Sequence, residues 1–149
     1  MSRAIAPLLA LIFLTDPATA DTVVGNRVFL DFAFEPSVKE LAAAKRWGRE
    51  YFAKADAAGR PVTVRVARTN STSLLSLESV AICDRVKACP LLVFRDFAAR
   101  PVLNTTAFQN VVIEYRNNET YLSYRLWDTV NDCRISNVGK ALCRKTKAK

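Results

Sequence analysis

The stretch from Cys83 to Asp96 reads Cys-Asp-Arg-Val-Lys-Ala-Cys-Pro-Leu-Leu-Val-Phe-Arg-Asp, and its second half predicts the centre of the fold. Leu91 to Phe94 is an uninterrupted apolar run between a proline and a charged pair. Such a run is typical of a strand buried on both faces, although periodicity alone does not distinguish it from a piece of buried helix. The two cysteines upstream lie where a disulfide could hold the approach to this strand.

The chain contains four cysteines and no histidine. In an exported chain this number of cysteines predicts two disulfides. Short loops cost the least chain entropy to close, which favours Cys83 with Cys89 and Cys133 with Cys143 over the other connectivities. A zinc site is the competing interpretation, but the chain offers no histidine ligand and neither cysteine spacing is that of a tight zinc-binding pair.

The N-terminus has the order of a secretory signal peptide: Arg3, an apolar run from Ala4 to Leu14, and a small-residue cleavage site at Ala18-Thr19-Ala20. A membrane anchor is the alternative, but the run is shorter than the ~20 residues that a bilayer span needs. We therefore expect residues 1–20 to be a signal peptide. Residues 21–149 are then a single exported domain, periplasmic or secreted, with no transmembrane anchor.

Two strands and a long helix are predicted before the central run. Arg27 to Phe34 and Val62 to Ala67 are rich in β-branched and aromatic residues. Between them, Ser37 and Glu40 have the spacing of a capping box that begins a helix, and Gly59 ends this helix as a left-handed cap. Strand, helix and strand in this order predict a βαβ unit with parallel strands.

A polar loop at Thr69–Ser73 and a shorter helix from Leu74 to Val86 are predicted to follow. The whole order resembles the thioredoxin-like fold, with Pro90 at the position of the family's cis-proline. The resemblance covers about Arg27 to Asp96 and implies an α/β fold with a βαβ core. The family's Cys-x-x-Cys centre corresponds here to Glu35-Pro36-Ser37-Val38, which contains no cysteine. The resemblance therefore implies a fold, and the family's dithiol chemistry does not carry over.

The C-terminal part predicts a β-hairpin. Phe97 to Phe108 is expected to be an irregular link. Val111–Arg116 and Thr120–Leu126 then alternate apolar and polar residues, and Asn117-Asn118-Glu119 between them is typical of a hairpin turn. We therefore predict a single α/β domain with a thioredoxin-like βαβ core, an appended antiparallel hairpin and a disulfide-linked basic C-terminal segment. Three tyrosines would line the hairpin: Tyr115, Tyr121 and Tyr124.

The net charge of +8 has two interpretations: it favours an anionic partner, or it only keeps an exported protein in solution. A second cationic candidate is the helix face with Lys45, Arg49 and Lys54, flanked by Arg46 and Trp47, which are either a ligand contact or the margin of a core. Residues from about 144 to 149 are expected to be a disordered tail. The first candidate anion-binding set is the group of basic residues after Asp132, a segment without acids: Arg134, Lys140, Arg144, Lys145, Lys147 and Lys149.

The composition excludes several catalytic classes. Without histidine the chain cannot form a Ser-His or Cys-His pair or the commonest hydrolytic zinc site. No glycine-rich phosphate loop is present, so neither a nucleotide partner nor any other cofactor or metal is expected. The carboxylates of Asp31, Glu35, Asp96 and Glu114 would serve glycoside chemistry only if two of them converged, which no pattern in the sequence indicates. Asp31, among apolar neighbours, is either a buried functional carboxylate or a solvated edge residue.

The leading hypothesis is a non-enzymatic exported binding protein for an unknown protein or anionic partner. The alternative is a periplasmic thiol-disulfide protein that acts through Cys83 and Cys89. A disulfide next to Pro90 could exchange with a partner thiol. However, Cys83 would lie near the C-terminal end of its predicted helix, where the helix dipole does not stabilise a thiolate, and Arg85 and Lys87 would compensate only in part.

Overall fold

The computed structural model describes residues 26–116, 119–136 and 138–148. The signal peptide predicted at residues 1–20 and the turn predicted at Asn117-Asn118 lie outside the described residues. The described elements, in chain order, are β1 (Asn26–Phe29), α1 (Val38–Trp47), α2 (Arg49–Ala57), β2 (Thr63–Arg68), β3 (Ser73–Glu78), β4 (Cys89–Phe94), β5 (Leu103–Ala107), β6 (Val111–Arg116), β7 (Glu119–Leu126), β8 (Thr129–Ile135) and β9 (Leu142–Lys147).

The strands form two antiparallel sheets, and the helices form a third layer. The four-stranded sheet has the order β2-β3-β4-β5 and the five-stranded sheet the order β1-β6-β7-β8-β9. In β4, Leu91 and Val93 pack against the five-stranded sheet, whereas Leu92 and Phe94 pack under the helices. The prediction that this run is a strand buried on both faces is therefore confirmed.

The predicted thioredoxin-like α/β fold is wrong. Every strand pairing among the described residues is antiparallel, and β2 pairs directly with β3. The predicted helix from Leu74 to Val86 is instead β3 followed by turns. The four-stranded sheet lies between the five-stranded sheet and the helices, so both faces of β3 are covered. Leu74 packs toward the five-stranded sheet, whereas Leu75 and Leu77 pack toward the helices. A strand that is apolar on both faces has the apolar density of a buried helix, which explains the error.

The predicted first strand, Arg27–Phe34, is divided between the two sheets. Its beginning is β1, which pairs with β6 in the five-stranded sheet. Its end reaches the four-stranded sheet only as a single antiparallel bridge between Phe34 and Val66. A parallel βαβ unit is therefore not formed, and the helices connect two different sheets.

Pro90 has a trans peptide bond, since no cis bond occurs in the described parts of the chain, so the predicted cis-proline is wrong. Pairing of β4 with β3 begins only at Leu91, whereas Pro90 lies opposite Thr106 of β5. The N–H that proline lacks is therefore not needed for a hydrogen bond to β3.

The helix signals are confirmed with one change. Ser37 and Glu40 form the capping box, and Gly59 has a φ of 62° after the end of α2. Gly48 divides the predicted long helix into α1 and α2. A Cβ at this position would lie 2.5 Å from Leu77 Cδ1 and 2.8 Å from the carbonyl oxygen of Ala44, so glycine lets the chain lie close against β3.

The C-terminal part contains more strand than predicted. The hairpin is present as β6 and β7, and the link predicted at 97–108 contains the edge strand β5. Residues 144–147, expected in a disordered tail, belong to β9, which pairs with β8 from Thr129 to Arg134. Two disulfides are present: Cys83 is bonded to Cys89, and Cys133 is bonded to Cys143, its register partner across β8 and β9.

Candidate anion-binding cleft

A cavity of about 630 Å³ lies beside Trp47, at the C-terminal end of α1. We call it the Trp47 cleft. Its other walls are the loop after β4, from Arg95 to Val102, and the turn that carries Gly139 and Lys140 between β8 and β9. Cavities of this size are typical of ligand sites.

Backbone hydrogen bonds fix these walls. Val102 N donates to the carbonyl oxygen of Val93 at 2.8 Å, which holds the loop against β4. Ala141 N donates to the carbonyl oxygen of Val102, also at 2.8 Å, and the guanidinium of Arg95 donates to the carbonyl oxygen of Gly139 at 3.3 Å. Gly139 has a φ of 79°, a left-handed conformation that glycine adopts without strain. The β8–β9 turn therefore lies over the loop and closes the cleft on that side.

Two guanidinium groups lie close to the indole ring of Trp47. Arg46 Cζ is 4.9 Å and Arg100 Cζ is 5.6 Å from the ring centroid, both within the range of cation–π attraction. The indole Nε1 is buried and has no hydrogen-bond partner among the described residues. The cleft therefore combines an aromatic wall with a positive potential.

A second cavity, of about 480 Å³, adjoins the Trp47 cleft and shares Arg95 and Asp96 with it. It lies along α1, where its wall includes Lys39, Ala42 and Arg46. On the opposite side the wall is the loop from Arg95 to Ala98.

The walls of the two cavities carry many more cations than acids. Among the described residues, Asp96 is the single acid that lines them, and its Oδ1 accepts a hydrogen bond from the backbone N of Ala98 at 2.9 Å. Within the described ranges, no ion pair joins these cations to a carboxylate. An anion that entered would therefore not compete with a carboxylate for these cations. The cations are Lys39, Arg46, Arg95, Arg100 and Lys140.

The outer face of the five-stranded sheet differs from the cleft, because three of its arginines are paired with carboxylates. Glu114 forms ion pairs with Arg27 at 3.1 Å and with Arg116 at 3.0 Å. Arg134 is paired with Glu119 at 3.2 Å. These contacts reduce the attraction of the three paired arginines for an anion, whereas Arg144, which lines a cavity of about 430 Å³ on the same face, is in no ion pair among the described residues.

The structure separates the basic residues that the sequence groups as one anion-binding set. Only Lys140 lines the Trp47 cleft. Arg134 is in β8, whereas Arg144, Lys145 and Lys147 are exposed on β9 at the edge of the five-stranded sheet. Lysines on an edge strand hinder pairing with other chains, which gives this segment a structural role. Lys149 lies outside the described residues.

The second cationic candidate also lies outside both cavities. Lys45, Arg49 and Lys54 are exposed and line neither of them. Of the two residues that the sequence placed on the flank of this face, Trp47 lines the Trp47 cleft and Arg46 lines the second cavity. Asp31 is exposed, so the interpretation as a solvated carboxylate fits the structure.

The hairpin tyrosines do not form one surface. Tyr124 is buried between the sheets, and its hydroxyl lies 2.9 Å from Thr105 Oγ1. Tyr121 donates a hydrogen bond to Glu119 at 2.7 Å, which raises the pKa of its hydroxyl, and its ring packs under Arg116. Tyr121 and Tyr124 therefore do not share one binding face.

The Cys83–Cys89 disulfide holds the turns after β3 against the start of β4. Cys83 is buried in the core below the helices, and Cys89 is half-buried. Cys83 lies in a turn rather than at the end of a helix, so the helix-dipole argument does not apply to it. Both cysteines line a cavity of about 520 Å³, which is the route by which an attacking thiolate would reach the disulfide. The remaining zinc interpretation has no thiolate ligands, because all four cysteines are in disulfides.

Sequence reasoning missed Arg95 and Arg100. Both follow the central strand on a loop, and loops that leave a rigid sheet often carry binding residues. Their position after the most strongly predicted strand was the available signal. Nothing in the sequence shows that this loop meets the β8–β9 turn, which is 44 residues from Arg95 at Gly139.

Comparisons of the chain with protein-family models, with curated proteins and with solved structures find no match. Neither described helix has the length and apolar character needed to cross a membrane. The function of the cleft is therefore inferred from its geometry and charge.

Proposed function

We propose that the protein is a non-enzymatic exported binding protein whose Trp47 cleft takes an anionic ligand with an apolar body. The observation that carries this proposal is the set of cations around the cleft that no carboxylate of the described residues neutralises. The signal-peptide pattern of residues 1–20 and the two disulfides support an oxidising compartment.

The shape of the cleft supports an amphiphilic ligand rather than a bare inorganic anion. Trp47, Pro101 and Val102 supply apolar wall, while Arg100 and Lys140 supply charge. A ligand that carries both an apolar group and an acidic group would satisfy both parts of the site. Attraction by cations that are partly in solvent would weaken as salt screens it.

The test is a titration with anilinonaphthalene sulfonate, an aromatic anion whose fluorescence rises in apolar sites. We expect the Arg100→Gln/Lys140→Gln variant to bind this probe about tenfold more weakly than the wild type. The control variant is Arg49→Gln/Lys54→Gln, which removes the same charge from the exposed face of α2. Equal affinity in the two variants, or a loss only in the control, would refute the proposal.

A further inference from the structure

The two cavities share Arg95 and Asp96 in their walls, and together we call them the groove. Lys39, Ala42, Ala43 and Arg46 recur at helical spacing along one face of α1, and all of them line the second cavity. With a rise of 1.5 Å per residue, α1 from Lys39 to Trp47 supplies a wall about 12 Å long. The loop from Arg95 to Val102 is the opposite wall, and the Trp47 cleft extends the groove beyond the helix. A groove of this length exceeds the needs of a compact ligand.

Small apolar groups form much of the groove, and its cations are distributed along it. Ala42, Ala43, Ala98 and Ala99 lie on its walls. The cations follow in series: Lys39 at the beginning of α1, Arg46 and Arg95 near the middle, and Arg100 and Lys140 at the far end. The groove therefore fits a linear ligand that presents apolar groups to its walls and acids to the cations.

We infer that the groove binds an extended acidic peptide segment of a partner protein, an inference that rests on the proposed function of the Trp47 cleft. An extended chain advances about 3.3 Å per residue, so about four residues lie along α1 and further residues enter the Trp47 cleft. A sulfated glycan also carries anions in series. However, it has no apolar side chains to place against the alanine walls, as an acidic peptide with apolar residues has.

The experiment measures the anisotropy of a dye-labelled peptide of alternating Glu and Leu, long enough to fill the groove. We expect saturable binding, and we expect the same peptide with Gln in place of Glu to bind about tenfold more weakly or not at all. Heparin is the glycan probe. The inference is overturned if heparin binds through the groove and the Glu-Leu peptide does not.

A matched pair of variants locates the peptide. Ala42→Glu places an acid in the groove, whereas Ala53→Glu makes the same change at an exposed position of α2 outside both cavities. We expect Ala42→Glu to weaken peptide binding about tenfold and Ala53→Glu to change it less than about twofold. Equal effects in the two variants would show that the peptide does not occupy the α1 part of the groove, which contradicts the inference.

The sulfonate titration separates this inference from the proposal on which it depends. If Arg100→Gln/Lys140→Gln weakens binding of the sulfonate but Ala42→Glu does not change the affinity for the peptide, the proposed function stands and the peptide inference fails. If the affinity for the sulfonate is also unchanged in Arg100→Gln/Lys140→Gln, the proposed function fails too.

Discussion

At the scale of single residues, Glu40 determines where α1 begins. Its side chain is 3% exposed and accepts hydrogen bonds from Ser37 N at 2.7 Å and from both Nε and Nη2 of Arg68 at 2.9 and 2.7 Å. Arg68 is the last residue of β2, so this pair fixes the N-terminal end of α1 to the four-stranded sheet. The contacts with Arg68 are the main reason that the pKa of Glu40 is lowered from 4.5 to about 2. Trp47 lies at the other end of the same helix.

Glu40→Gln should lower the free energy of unfolding at pH 7 by about 2 kcal/mol, because it removes a charged acceptor. A lowered pKa in the folded state stabilises the protein above pH 4.5, and this stabilisation is lost as the pH falls toward about 2. Urea denaturation should therefore show that the difference in free energy of unfolding between wild type and variant becomes smaller as the pH falls from 4.5 to about 2. The exposed Glu50→Gln is the control. A constant difference from pH 7 to the acid limit would contradict the role of the Arg68 pair.

At the scale of secondary structure elements, β9 shows why a basic segment need not be a disordered tail. Its residues are exposed, yet they pair with β8 in continuous register from Arg134↔Leu142 to Thr129↔Lys147. Composition alone predicts a solvated chain end here. The register contacts and the Cys133–Cys143 link, which arise only in the folded sheet, are what order it.

Truncation after Cys143 should destabilise the protein, contrary to the expectation for a disordered tail. It removes the residues of β9 that pair with Thr129 to Asp132. This leaves β8, which contains the buried Asn131, as a new edge strand. We expect a lower melting temperature and concentration-dependent aggregation in light scattering. Lys145→Gln/Lys147→Gln, which keeps the strand, should melt close to the wild type. A truncated protein that melts like the full chain would show that β9 contributes nothing to stability.

At the scale of the whole molecule, the local signals for helices, turns and strands were predictable from the sequence, and the pairing of the strands was not. The capping box at Ser37, the turn at Gly59, the hairpin strands and the apolar run at Leu91 all depend on neighbours in sequence, and the structure contains each of them. The inner strand β3 was mistaken for a helix because burial on both faces removes the alternation that identifies strands.

The candidate site was harder to predict, because it combines α1, the loop after β4 and the β8–β9 turn. Lys140 was singled out by the basic composition of its segment and Trp47 by its position on the flank of a helix face, but no pattern placed them in one cavity. The sheet topology that unites them depends on antiparallel pairings across the whole chain. Single-sequence patterns do not encode such pairings.

The central claim is that the Trp47 cleft binds an anion, and the most direct measurement is a nitrogen-15 correlation spectrum of the indole N–H groups during titration with anilinonaphthalene sulfonate. The chain has two tryptophans, and Trp127→Phe assigns the two signals. Trp127 is exposed and packs edge-on against Phe108, so it reports on a second apolar surface. We expect the Trp47 signal to move with saturation while the Trp127 signal stays in place. Movement of the Trp127 signal with an unchanged Trp47 signal would contradict the account.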